Sequence, residues 1–229
     1  MDRGSGKTGT NERRIHLIPG FNVSDYGRQS VQRLTPGLER EGWIVIPRSV
    51  PKIGALDFTS RNGALAARMR DSIRPFDTII SHSNGNLIAW QIIQSLSFPV
   101  QLAMLNSALC RNTQFRSGTK VLNVMNSDDW ALMFARPWSR LLSTLKSGQF
   151  HGWGAMGLYG QQPAQAHVTE VDSASGSVGP AAFGHSGVFD EHAPERGRIF
   201  GQWANAEFHK QRSTFPEWAD RTIEVDVVG

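Results

Sequence analysis

The amino-acid sequence predicts an α/β fold with a mostly parallel central sheet and helices on both of its faces. Short segments rich in Val, Ile and Leu alternate with longer segments whose apolar residues recur at helical spacing. Most of the predicted strands are short and apolar, which is typical of parallel strands that are buried on both faces. A chain of 229 residues, 39% hydrophobic and 19% charged, is long enough to bury such a core as one domain.

The predicted strands and helices alternate from the N-terminus onwards. Ser24 and Asp25 are suited to cap the first helix, which Pro36 breaks or offsets. The segment 167–174 is a weaker strand than the others because it contains more polar residues. Six strands are predicted at residues 14–20, 43–47, 76–81, 100–108, 120–127 and 167–174, and helices at residues 28–42, 62–73, 86–96 and 191–210.

The domain organisation follows from the same pattern. Residues 1–13 are polar and basic, and we expect them to form a flexible arm. No internal repeat or linker composition interrupts residues 14–229, so one domain is predicted there. The segment 130–166 lies between two predicted strands and contains Trp, Tyr and several glycines, which favours a small cap or lid.

The composition narrows the classes of function. The net charge of +4 comes from basic residues spread along the chain without interleaved aromatic residues, so we expect no nucleic-acid partner. No apolar run approaches the ~20 residues that span a bilayer, and the N-terminus lacks the apolar region of a secretory signal. The single cysteine, Cys110, suits a reducing compartment, and we therefore expect a cytoplasmic protein without a membrane span.

The segment "ISHSNGN", residues 80–86, has the pattern of a nucleophile elbow. In such an elbow a serine stands at a tight turn between a strand and a helix, and small residues are needed two positions before and two after it. Ser81 and Gly85 meet this steric requirement around Ser83. The positive end of the following helix favours a developing oxyanion at this position. We interpret Ser83 as a nucleophile, and a helix N-cap serine is the alternative.

A nucleophilic serine needs a general base and an acid that orients the base. In this type of fold the acid follows a strand after the elbow, and "VLNVMNSDDWAL" supplies Asp128 and Asp129 there. We prefer Asp129, which lies three residues after Asn126 and three before Leu132. Asp128 remains open as the acid, or it can cap the next helix.

The seven histidines of the chain compete for the role of base. His185, in "AAFGHSGVFD", follows the last predicted strand and precedes the final helix, where the base is expected. His192 is the next candidate, and a structural surface histidine is the alternative to both.

The remaining site residues follow from the chemistry of acyl transfer. Two backbone N–H groups must stabilise the oxyanion. We expect one from Asn84, directly after the nucleophile, and the other from Phe21 or Asn22 in the loop after the first strand. Among the aromatic residues of the predicted cap, Trp130 and Trp153 are candidates for contact with an apolar acyl group, although such residues also pack caps onto cores.

Four motifs occur in the required order: "IHLIPGFN", "ISHSNGN", "NSDDWAL" and "GHSG". Together they resemble the α/β-hydrolase superfamily over residues 14–208, and the small size resembles esterase-like or lipase-like members of bacterial or phage type. The sequence departs from the family pattern at Ser81, which stands in place of glycine, and in its Pro-Gly-Phe loop, which replaces the commoner His-Gly. The second departure leaves the oxyanion donor open.

The resemblance implies a serine hydrolase with a Ser83–His185–Asp129 triad, a small-molecule acyl substrate and an acyl-enzyme intermediate. It implies no cofactor, and one cysteine with scattered histidines predicts no metal site. Two other classes remain open: a non-catalytic binding module on the same fold, and a nucleic-acid-associated protein, which only the basic charge favours.

Overall fold

The computed structural model describes residues 12–20, 27–51, 58–134 and 154–219. Its six strands are β1 (Arg14–Ile18), β2 (Ile44–Pro47), β3 (Thr78–His82), β4 (Gln101–Leu105), β5 (Lys120–Met125) and β6 (Val168–Asp172). Its helices are α1 (Thr35–Arg40), α2 (Phe58–Arg70), α3 (Gly85–Ser95), α4 (Ala155–Tyr159), α5 (Ala193–Thr214) and α6 (Pro216–Ala219), and residues 130–134 are also helical.

All six predicted strands are present, and their ends differ from the prediction by a few residues. The helix predicted at residues 28–42 is divided into a 3₁₀ turn at Val31–Leu34 and α1. Pro36 stands in the first turn of α1, where its missing N–H costs no helical hydrogen bond. The predicted caps Ser24 and Asp25 lie outside the described residues.

The sheet is parallel throughout, with strand order β2-β1-β3-β4-β5-β6. The chain moves from β1 to one side of the sheet and from β3 to the other, so the order reverses between these two neighbours. In open parallel sheets, ligands bind outside the carboxyl ends of the strands at such a reversal. The strand order therefore predicts a ligand site at the loops that follow β1 and β3.

Helices cover both faces of the sheet, which confirms the predicted fold class. On one face α1 and α5 pack against Ile15, Ile80 and Leu105. On the other face α2 and α3 pack against neighbouring positions such as Ile79 and Leu102. Because successive side chains point to opposite faces, the central strands β1, β3 and β4 are buried over their whole length.

The segment predicted as a cap is described only at its two ends. Residues 130–134 begin a helix, and α4 packs against β5 with Met156 fully buried. Residues 135–153 lie outside the described residues, so the cap stays a prediction. The longest described helix, α5, has 22 residues, and none of the described helices combines the length and the apolar character needed to cross a membrane.

Candidate active site

Ser83 stands at a sharp turn between β3 and α3. Its backbone has φ of +52°, a left-handed conformation that costs a non-glycine residue free energy and persists only when its neighbours fix it. The Ser83 N–H donates to the carbonyl of Leu105 at 3.0 Å, and the Ser83 carbonyl accepts from the Asn86 N–H at 3.1 Å. The turn is thus held both by the neighbouring strand β4 and by the first turn of α3.

Close contacts explain why small residues surround this turn. A Cβ on Gly85 would lie 2.5 Å from the carbonyl oxygen of Pro19 and 2.7 Å from that of Ile18. A Cβ on Gly20 would lie 3.1 Å from Ser83 Cβ. The end of β1 therefore lies directly against the turn, and the elbow has no room for a larger side chain at position 85.

Ser81, which replaces the usual glycine, has a structural role of its own. Its side chain is buried and its Oγ donates to Asn86 Oδ1 at 2.5 Å. Asn86 Nδ2 in turn donates to the carbonyls of Ser83 and Leu105 at 3.0 and 3.1 Å. The serine hydroxyl thus fixes the amide that fastens the elbow, which explains why serine is accommodated at position 81.

Asp129 and His185 form a hydrogen-bonded pair at the carboxyl end of the sheet. His185 Nδ1 lies 2.7 Å from Asp129 Oδ2. The Asp129 carboxylate is fully buried and also accepts from the Leu132 N–H at 3.0 Å and from Asn106 Nδ2 at 2.9 Å. Burial alone raises the pKa of Asp129, but the hydrogen bond and charge interaction with His185 and the other two donors outweigh it, and the pKa is lowered. The carboxylate therefore stays ionised.

The pairing with Asp129 assigns the proton of neutral His185 to Nδ1, which leaves a lone pair on Nε2. The His185 side chain is 22% exposed, and its Nε2 has no hydrogen-bond partner among the described residues. The alternatives named from the sequence lie elsewhere: Asp128 is exposed, and His192 is exposed beside Glu191 at the start of α5. Neither side chain is hydrogen-bonded to His185 or Asp129 within the described residues.

His185 and the turn at Ser83 are joined through His82, the residue before Ser83. The His82 and His185 rings lie 4.7 Å apart, and His82 Nε2 donates to the His185 carbonyl at 3.0 Å. Within the described ranges no hydrogen bond connects Ser83 and His185 directly. Catalytic hydrogen bonds of this type are often long in an enzyme without substrate and shorten when substrate binds.

His82 is neutral in the folded protein. Burial away from water, with a smaller contribution from neighbouring His185, lowers the pKa of His82 to about 3. The ring of Phe189 also packs against the His82 ring, with the ring centroids 4.9 Å apart in an edge contact. His82 therefore acts as an uncharged hydrogen-bond donor beside the base.

One of the predicted oxyanion donors lies in the described structure. The Asn84 N–H precedes the first turn of α3 and donates to no acceptor among the described residues. The Asn84 side chain is held by a reciprocal amide pair with Asn62, at 3.1 and 3.2 Å. Phe21 and Asn22, the candidates for the second donor, lie outside the described residues.

Exposed apolar side chains lie close to Asp129 and to His185 along the chain. Trp130 and Phe134 are 61% and 72% exposed, and their rings are in contact at 6.4 Å. Phe183, just before the base, is 64% exposed. The Trp130 indole lies 3.5 Å from the position of a Cβ on Gly184, and so flanks the base. Trp153 lies outside the described residues.

Sequence reasoning missed the contributions of His82 and Asn106. Asn106 directly follows β4, has φ of +47°, and donates from its buried amide to Asp129. The signal in the sequence was the repeated pair Asn-Ser after successive strands, at Asn106 and again at Asn126. No group of three or more His, Cys, Asp or Glu side chains converges into a possible metal site in the described part of the chain.

A solved structure with a TM-score above 0.5 shares the fold of this chain. Neither a protein-family model nor a curated protein matches the sequence. The esterase domain of a Rhodothermus marinus protein is similar in structure, with 13% identity, a TM-score of 0.51, and coverage of 86% of this chain and 89% of that one. A Xanthomonas campestris protein described as a hydrolase of the alpha/beta superfamily has 17% identity, a TM-score of 0.47, and coverage of 85% and 99%. A YdeN-like hydrolase from Pectobacterium atrosepticum has 16% identity, a TM-score of 0.46, and coverage of 86% and 94%.

Proposed function

We propose that this chain, which has the α/β-hydrolase fold, is a serine hydrolase that cleaves a carboxylic ester or a related acyl bond. The observation that carries the proposal is the His185–Asp129 pair, joined at 2.7 Å beside a strand-to-helix turn that presents Ser83. A buried carboxylate fixes the imidazole, and the accessible nitrogen of the ring is left free to accept a proton. Ester hydrolysis by an acyl-enzyme uses these groups directly.

In the proposed mechanism, Ser83 Oγ attacks the acyl carbonyl while His185 Nε2 accepts its proton. Asp129 holds the imidazole in the Nδ1–H tautomer and stabilises the imidazolium that forms. The N–H of Asn84 donates to the oxyanion, with Phe21 or Asn22 as the proposed second donor. His185 then protonates the leaving group, and a water molecule, deprotonated by the same nitrogen, hydrolyses the acyl-enzyme.

The surroundings of the base support an apolar acyl group as substrate. Trp130, Phe134 and Phe183 expose large apolar surfaces next to the His185–Asp129 pair. Exposed aromatic side chains that cluster at a site mark a surface suited to apolar ligands. We therefore assign Trp130, and with it the predicted cap residue Trp153, to contact with the acyl chain.

Labelling with a fluorophosphonate probe tests the proposed nucleophile and base. The wild type is expected to be labelled, and Ser83→Ala and His185→Ala are expected to lose the labelling. His192→Ala is the matched control, because His192 is an exposed histidine that lies outside the proposed triad. Labelling that survives in Ser83→Ala, or that disappears equally in His192→Ala, would contradict the proposed roles.

One observation favours a second candidate function, a binding module without catalytic activity. Ser83 and His185 are not hydrogen-bonded to each other in the described residues, as they would be in a fully assembled triad. A folded wild-type protein that is not labelled and does not hydrolyse a panel of activated esters and thioesters would favour this second candidate.

A further inference from the structure

The segment that carries His185 is held by side chains from three neighbouring strands. We define the base loop as residues 182–185, which have no helix or strand conformation. His82, at the end of β3, donates to the His185 carbonyl at 3.0 Å. Asn126, directly after β5, donates from Nδ2 to the carbonyls of Ala182 and Gly184 at 3.2 and 3.0 Å.

Asn106, directly after β4, connects the same loop to the acid. Its Nδ2 donates to Asp129 Oδ2 at 2.9 Å, the oxygen that also pairs with His185 Nδ1. It also lies 3.5 Å from the Gly184 carbonyl. We name His82, Asn106 and Asn126 the strand-end donors, because each directly ends or follows one of three adjacent strands of the sheet.

The strand-end donors are polar side chains that are buried in the protein. Asn106 and Asn126 are fully buried and His82 is 5% exposed, and buried polar groups are costly unless they are hydrogen-bonded. Asn106 in addition adopts a left-handed backbone, a conformation that persists where surrounding structure fixes it and that is frequent at active sites. Both hydrogen bonds that Asn126 Nδ2 donates to described residues end in the base loop, so Asn126 and His82 have a common target.

We propose that His82, Asn106 and Asn126 are positioning residues, which hold the base loop so that His185 stays bonded to Asp129 and turned towards Ser83. This inference rests on the proposed function, because it takes His185 as the base. The rigid ends of three parallel strands provide the orientation that a loop without regular structure lacks. Small displacements of a catalytic group lower the rate strongly, so the loss of these donors should reduce turnover rather than substrate binding.

Asn126→Leu tests the proposal because it removes the amide and keeps a side chain of similar size. Gln211→Met is the matched control. Gln211 is also buried, and its Nε2 donates to the carbonyls of Val100 and Gly118 at 3.0 and 2.8 Å, at the amino ends of β4 and β5. Asn126→Ala, with a smaller side chain, serves as a second variant in case the leucine does not fit.

Two measurements are needed. The first is steady-state hydrolysis of a p-nitrophenyl ester, in which both Asn126 variants are expected to lower kcat by about tenfold to hundredfold with KM changed less than about twofold. The second is a long-range ¹⁵N–¹H NMR spectrum, which reports which ring nitrogen carries the proton. His185, assigned by its absence in His185→Ala, is expected as the Nδ1–H tautomer in the wild type and in Gln211→Met, and as a tautomer mixture in the Asn126 variants.

The outcomes separate this inference from the proposed function. Loss of kcat and of the fixed tautomer in both Asn126 variants, with both preserved in Gln211→Met, supports the positioning role. An unchanged tautomer and kcat in the Asn126 variants overturn it, as does an equal loss in Gln211→Met. If the wild type hydrolyses no ester, the proposed function fails, but the tautomer measurement still decides whether Asn126 positions His185.

Discussion

The described part of the chain contains two histidine–aspartate pairs, and they lie at opposite ends of the sheet. His185 and Asp129 meet at 2.7 Å at the carboxyl end. His16 and Asp77 meet at 2.9 Å near the amino ends of β1 and β3. In both pairs a buried carboxylate accepts from an imidazole nitrogen, so the contact between the two residues does not by itself distinguish them.

The difference lies in the second nitrogen of each ring. His16 is fully buried, and its Nδ1 accepts from the guanidinium of Arg48 at 3.1 and 2.7 Å. Its partner Asp77 also binds Arg14, whose Nε lies 3.1 Å away. The His185 side chain is instead 22% exposed, and its Nε2 has no hydrogen-bond partner among the described residues. The His16–Asp77 pair is therefore part of a structural network, whereas the His185–Asp129 pair leaves one ring nitrogen without a partner among the described residues.

The largest effect is expected from breaking the proposed catalytic pair of His185 and Asp129. Asp129→Asn should lower the rate of fluorophosphonate labelling by about 10⁴-fold, because the amide no longer selects the Nδ1–H tautomer of His185. Asp128→Asn, on the exposed neighbour, is the control and should leave the rate within about twofold. Equal losses in the two variants would show that the acid has been assigned to the wrong residue.

Disruption of the His16–Asp77 pair should lower the free energy of unfolding rather than the labelling rate. Asp77→Asn leaves the buried Arg14 guanidinium without its counter-charge, and we expect the free energy of unfolding to fall by about 3–5 kcal/mol. Urea unfolding followed by circular dichroism measures the change. The fluorophosphonate labelling rate of the protein that remains folded should stay near that of the wild type. Loss of labelling without loss of stability would instead show that the His16–Asp77 pair takes part in the reaction.

Acid should destabilise the fold through its buried histidines. Burial lowers the pKa of His16, against the effect of Asp77, and lowers that of His82 to about 3. Below the ordinary histidine pKa of 6.5 the unfolded chain binds more protons than the folded one. The contribution of these histidines to the free energy of unfolding is therefore fully present above pH 6.5. It is lost as the pH falls towards their pKa values in the folded protein. The loss for His82 approaches ~1.4 kcal/mol per pH unit.

A matched variant isolates the contribution of His82. His82→Gln keeps an N–H donor near the base loop but cannot take up a proton in this range. Its free energy of unfolding, measured in urea at several pH values between 7 and about 4, should decline less steeply than that of the wild type. Parallel curves for the two proteins would mean that His82 is not kept neutral by the fold.

The smallest effect is expected from removing the hydrogen bonds that Arg48 donates to Nδ1 of His16. Arg48→Met removes the guanidinium from His16 Nδ1, and the pKa of His16 should rise towards its ordinary value because a nearby positive charge that lowers it is lost. An NMR titration of the His16 ring measures this change. The fluorophosphonate probe should label no residue at this end of the sheet. New labelling there would show that a histidine–aspartate pair with a free ring nitrogen can activate a nucleophile without a strand-to-helix turn.

The sequence was sufficient for the parts of the fold that depend on local pattern. Apolar runs predicted all six strands, and the small residues around Ser83 predicted the turn, because the elbow is a local steric arrangement of five residues. The boundaries were less accurate at α1, where a 3₁₀ turn precedes Pro36. Such boundaries depend on packing against α5, which the local pattern does not contain.

The contacts around the base could not be predicted in this way. Asn126 binds residues 56 and 58 positions further along the chain, and His82 binds a carbonyl 103 positions away. The base loop has no periodicity that would indicate its path. Its position follows from the order of the strands, which brings the ends of β3, β4 and β5 next to one another.

The proposal that Ser83 is the nucleophile is tested most directly by locating the adduct of the fluorophosphonate probe on the wild-type protein. Tandem mass spectrometry of its peptides identifies the modified residue. Only a serine beside an available base should react, so we expect a single adduct on Ser83 in the peptide that contains residues 80–86. An adduct on any other residue, or no adduct on a folded protein, would contradict the assignment of Ser83 as a nucleophile activated by the His185–Asp129 pair.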